Sequence, residues 1–119
     1  MYLLKDLKVY QKAFDLSLVI YRITKNFPKE ELFSLTAQIR RCAVSIPSNI
    51  AEGKGRFSSG DYCRFLSIAR GSLFELQTQI AIAKELNYLT QKDFAEINKS
   101  VEEIGRMLTA MINKLSATS

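Results

Sequence analysis

Apolar residues recur every three or four positions along most of the chain, with polar residues between them. An α-helix returns such positions to one face, because its turn takes about 3.6 residues. A first segment, from about Lys5 to Phe27, carries the stripe Val9, Ala13, Leu16, Ile20, Ile23 and Phe27, and Pro28 is placed to end it. A second, from about Lys29 to Gly53, carries Leu32, Leu35, Ile39, Ala43, Ile46 and Ile50. Glu30 and Glu31 suit the positive end of its dipole. Pro47 lies inside it, lacks a backbone donor and crowds the Ala43 carbonyl, so a kink is expected there. Ser45 and Ser48 are the expected partners of the freed carbonyls. A third segment starts near Ser58 or Ser59 and stops near Asn87, with the seam Tyr62, Leu66, Ala69, Leu73, Leu76, Ile80 and Ala83. The fourth opens on Thr90 as N-cap, with Asp93 three residues on. Its seam is Phe94, Ile97, Val101, Ile104, Leu108, Met111 and Leu115. The last residues, Ser116 to Ser119, should fray.

Four amphipathic helices with short connections predict an all-α fold, an antiparallel up-down-up-down four-helix bundle, as one domain over residues 1–119. No period-two segment of useful length argues for strands. Gly71 and Gly105 fall mid-helix, where glycine costs roughly 1 kcal/mol against alanine, and close helix approach is the expected compensation.

Apolar residues remain after the four core stripes are filled. Tyr10, Phe14 and Tyr21 make a second stripe on the first helix, roughly 120° from the first. Phe33, Ala37, Val44, Pro47 and Ala51 lie roughly 100° off the core line of the second, and Phe74 and Ile82 lie off the seam of the third. One reading is a wide core face with ordinary scattered exposure. The other is a homo-oligomer that uses Tyr10, Phe14, Tyr21, Phe33, Val44, Pro47, Ala51 and Phe74 as its interface, since large apolar patches mark contact surfaces.

Composition removes most chemistry. The chain has 119 residues, 47% hydrophobic and 24% charged, ordinary for a folded globular domain. Histidine is absent, which excludes Ser-His-Asp and Cys-His catalysis and imidazole-dependent metal sites. Cys42 and Cys63 have no Cys-x-x-Cys spacing; a disulfide between them is one reading, and buried free thiols in a reducing cytosol are the simpler one. No metal site, cofactor motif or nucleophile–base constellation can be named, so no enzyme is expected. No apolar run is long enough to span a membrane, and the first residues lack a signal peptide's apolar centre. A cytoplasmic protein is expected.

Net charge is +5 and the pI about 9.3. In an antiparallel bundle the excess gathers at one end. The start of helix one, the second connection and the end of helix four hold seven cations, including Lys54, Arg56 and Arg64, against three carboxylates. Such a surface suits a phosphate backbone, with binding that weakens steeply in salt. The bland reading is a solubilising rim. The aromatic residues fall at core or interface spacing and are not read as stacking platforms.

The run Gln38-Ile39-Arg40-Arg41-Cys42-Ala43-Val44-Ser45-Ile46-Pro47-Ser48-Asn49-Ile50-Ala51-Glu52-Gly53, then Gly55-Arg56, and further on Phe65-Leu66-Ser67-Ile68-Ala69-Arg70-Gly71-Ser72-Leu73, resembles the four-helix-bundle family named for reading frames in intervening sequences of 23S ribosomal RNA genes. The resemblance implies a small bacterial bundle assembled as a pentamer. One branch comprises accessory variability proteins of diversity-generating retroelements, which bind nucleic acid and partner a reverse transcriptase. The family's ribosomal-protein name reflects gene location. No catalytic residue carries over. The family's basic positions fall here on Arg40, Arg41, Lys54 and Arg56. With Arg64 and Arg70, these are the expected contacts to RNA or DNA. The combined expectation is a non-enzymatic, basic, homo-oligomeric scaffold that binds nucleic acid. The alternative is a protein–protein interaction module without that role.

Overall fold

A computed structural model describes residues 4–118 and shows four helices. They are α1 (Lys8–Thr24), α2 (Leu35–Lys54), α3 (Ser59–Glu85) and α4 (Gln91–Thr118), with single 3-10 turns at Leu4–Asp6 and Lys29–Glu31. Each helix packs on its sequence neighbour and α4 returns to α1, closing an antiparallel bundle of 45 × 21 × 21 Å. The core is the predicted stripes, with Ile20, Ile39, Ile46, Ile50, Leu66, Leu73, Leu76, Ile80, Ile97, Ile104 and Leu108 all fully buried. Leu32 is the exception among them, 45% exposed.

That exception has a local cause. The second helix starts later than its apolar period suggests. Ser34 caps it through Leu35 N–H at 2.7 Å, and Ser34 Oγ donates to the Glu31 carboxylate at 2.7 Å. Leu32 therefore sits on a turn outside the helical face. Glu31 also accepts from Tyr88 Oη at 2.8 Å, tying the first connection to the third. The two hydroxyl donors, Ser34 first, hold its carboxyl below the usual range.

Other ends follow the sequence. Ser58 Oγ accepts from Asp61 N–H and Thr90 Oγ1 from Asp93 N–H, each at 3.1 Å. Asn87 adopts φ 63°, and Tyr88 N–H reaches back to Ala83 O at 2.9 Å, a Schellman ending of α3. Helix α1 stops at Thr24, short of Phe27. At the other terminus α4 runs to Thr118, and Ser119 lies outside the described residues.

Pro47 stands inside a continuous α2. The Ala43 carbonyl it deprives is met from outside the helix. Ser17 Oγ on α1 lies 3.0 Å from Ala43 O and 3.2 Å from its own Ala13 O. Ser45 Oγ turns to Cys42 O instead. Close helix approach occurs at neither mid-helix glycine. A Cβ on Gly71 would meet nothing within 4 Å, and one on Gly105 only Leu73 Cδ2 at 3.5 Å. At Gly53 it would meet Phe65 Cβ at 2.8 Å and Tyr62 Cδ1 at 2.9 Å. Glycine is needed where α2 ends against the start of α3.

Candidate functional site

The Gly53 contact builds the α2–α3 corner. Because the helices touch there, the cations that follow Gly53 lie over aromatic rings of α3. Lys54 Nζ is 5.8 Å from the Tyr62 ring centre. Arg56 and Arg64 each place their guanidinium carbon 4.7 Å from the Phe65 ring centre. Such stacking orders a long side chain while leaving its charge at the surface. Two carboxylates temper the cluster: Glu52 pairs with Arg56 at 2.9 Å and Asp61 with Arg64 at 3.9 Å. The end of α4 joins this corner, since Cys63 Sγ lies 3.4 Å from Ser116 Oγ. Phe57, in the four-residue connection, is 108% exposed. Aromatic spacing along helices could not have found it, because it belongs to no helix.

The other three expected contacts lie elsewhere. Arg40 is half-buried, donates from Nε to Thr24 Oγ1 at 2.8 Å and sits 4.8 Å over the Tyr21 ring. It ties α2 to the end of α1, and fourteen residues of helix place it about 21 Å along the axis from Lys54. Arg70 likewise bridges α3 and α4, donating to Thr109 Oγ1 at 2.9 Å and lying 4.9 Å over Phe74. Arg41 is exposed beside a polar cleft of about 340 Å³ that Ser45, Ser72 and Glu75 also line. Cys42 Sγ is buried there, 3.0 Å from Ser72 O. Burial first, and Glu75 second, push its thiol up to about 12, so it is held protonated. The six residues thus divide into one cluster, Lys54, Arg56 and Arg64, and three separate placements.

The surplus apolar residues form two grooves. Tyr10, Phe14, Tyr21, Val44, Pro47 and Ala51 line a groove of about 390 Å³ between α1 and α2. Phe14 is 47% and Val44 40% exposed, while Pro47 is buried and forms the floor. Phe74 faces a second groove, of about 510 Å³, between α3 and α4, with Gly105 and Arg106. In a square bundle these two helix pairs are opposite sides. Phe33, 92% exposed on the first connection, belongs to neither. The α1–α4 side is charged, with Lys12–Glu103 at 2.5 Å and Arg22–Glu96 at 3.7 Å. Lys12 holds the Glu103 carboxyl below its usual range. Lys12 is therefore neutralised, and the cationic end is narrower than counting charges along the sequence indicates.

Among the described residues, no group of three or more Cys, Asp or Glu could hold a metal ion, and no helix is long and apolar enough to cross a membrane. Comparison with known proteins then gives the family. Residues 5–110 match the model of the 23S rRNA-intervening sequence proteins. The chain belongs to this family. Its fold is also that of a crystal structure of a protein with unknown function from the S23 ribosomal protein family of Bacteroides thetaiotaomicron. The two are 27% identical with a TM-score of 0.84, over 92% of this chain and 98% of that one. No curated protein is significantly similar in sequence. The family match spans α1, α2, α3 and the connection that carries Phe57, and stops at residue 110, before the end of α4.

Proposed function

We propose that this protein is a non-enzymatic, basic scaffold whose copies associate side by side and bind the phosphate backbone of RNA or DNA. The observation that carries this is one arrangement: apolar grooves on two opposite long sides, with Lys54, Arg56 and Arg64 gathered at one end. The grooves have different linings, so seating one on the other is a heterologous contact, which closes into a ring when each copy is rotated relative to the last and otherwise extends as a filament. Five subunits is the number the family resemblance implies. Side-by-side copies bring every α2–α3 corner to one rim, so cations that are weak singly act together on a polyanion.

Light scattering tests the association. A multimer is expected at micromolar concentration, and Val44→Lys should lower its mass while helicity is kept. A wild-type monomer overturns it. Electrophoretic shifts across a salt series test the binding, which should weaken steeply as salt rises. Reversing Lys54 and Arg56 should weaken it more than reversing Lys84 and Lys92 at the opposite end. No shift at low salt, or equal effects of the two reversals, refutes the nucleic-acid role. A multimer that fails to shift nucleic acid leaves the protein–protein module as the reading. The reverse transcriptase partner implied by the resemblance is checked by co-purification after nuclease treatment.

A further inference from the structure

We infer that Phe57 stacks on an unpaired base, so that the α2–α3 corner prefers single-stranded RNA or DNA to duplex; this rests on the nucleic-acid reading above. Phe57 is fully exposed, and the connection that carries it is tied by hydrogen bonds on both sides. On one side Gly55 N–H bonds Ala51 O at 3.2 Å and Arg56 N–H bonds Gly53 O at 3.1 Å. On the other, Ser58 caps α3 through Asp61 N–H. Phe57 is the residue between these two closures.

Its surroundings hold three cations against two carboxylates, Glu52 paired with Arg56 and Asp61 with Arg64, which leaves the corner net positive. Arg56 precedes it, and Lys54 and Arg64 belong to the same corner, each held over a ring of Tyr62 or Phe65. An occupant must therefore match a flat apolar face and negative charge within one corner. A single strand offers both, an open base face and its phosphate, whereas a duplex keeps its base faces stacked inside. A membrane surface is the poorer match. Arg56, Ser58, Ser59 and Gly60 add no apolar area, and interfacial binding needs a broad apolar face.

The test is fluorescence anisotropy with the full chain at low salt, using a labelled oligouridine and an RNA duplex of equal length. Phe57→Ala should weaken oligouridine binding by roughly five- to 150-fold, since one base–aromatic stack is worth about 1–3 kcal/mol and 1.4 kcal/mol is tenfold. Duplex binding should change little, and Phe57→Trp should keep the single-strand affinity. Folding is checked by circular dichroism; an exposed side chain leaves it intact. If wild type binds both probes and Phe57→Ala weakens neither, or both equally, stacking is refuted while the backbone-binding reading stands. If wild type binds neither probe, the parent reading falls and stacking with it. If Phe57→Ala instead lowers the oligomer mass, or abolishes binding to phosphatidylserine vesicles without affecting oligouridine, the residue serves a second copy or a lipid surface and the inference is overturned.

Discussion

Substituting Gly53 by alanine tests the contact on which the α2–α3 corner is built. The new methyl would lie 2.8 Å from Phe65 Cβ, 2.9 Å from Tyr62 Cδ1 and 3.2 Å from the Tyr62 carbonyl oxygen. Two of these atoms are part of the α3 backbone or fixed to it, so no flexible tip can swing aside. The end of α2 must lift from α3. Overpacking of this kind costs about 1–3 kcal/mol. Alanine recovers up to about 1 kcal/mol of helix propensity, and less in a last turn. The expected net loss is about 1–2 kcal/mol, or a fall in Tm of roughly 3–12 °C for a chain of this length. Gly71→Ala is the control. Its methyl meets nothing within 4 Å, so it should stabilise by about 0.5–1 kcal/mol. Thermal melts followed at 222 nm decide the matter, at one fixed protein concentration because association shifts Tm. A Gly53→Ala protein that melts at or above the wild type would refute the reasoning. So would a Gly71→Ala protein that loses as much as Gly53→Ala.

Two further outcomes follow from named contacts. Ser17→Ala should cost about 1–3 kcal/mol, because it leaves the Ala43 carbonyl without the donor that Pro47 cannot supply. In a Pro47→Ala background a backbone N–H returns, so the same change should cost about 1 kcal/mol less in a urea-denaturation double-mutant cycle; strict additivity would sink the account. Glu31 and Glu103 are held below the ordinary carboxylate range, Glu31 by Ser34 and Tyr88 and Glu103 by Lys12. Their folded values lie below their unfolded ones, so the stability they add is present above the unfolded value and lost as pH falls through the folded value. Glu31→Gln should flatten the acid limb of Tm against pH. An acid limb identical to the wild type's is the contrary result.

Local features can be read along the chain. Apolar periodicity located the four helices and most of the core, because a stripe at helical spacing can be buried on only one side. Ser58, Thr90 and Asn87 marked helix ends because capping involves residues a few positions apart. The cationic residues of the corner were legible as a charge excess, and the groove residues as apolar positions beyond the core stripes. Which groups meet is set by the packing of one helix on another. Ser17 answers Pro47 across two helices, Tyr88 and Ser34 recruit Glu31 out of a helix dipole role, and Arg40 is spent on Thr24 while Arg56 and Arg64 share one ring. Periodicity fixes which face of a helix turns inward. It leaves the axial register and rotation of one helix against another to side-chain packing, and contacts between helices depend on both.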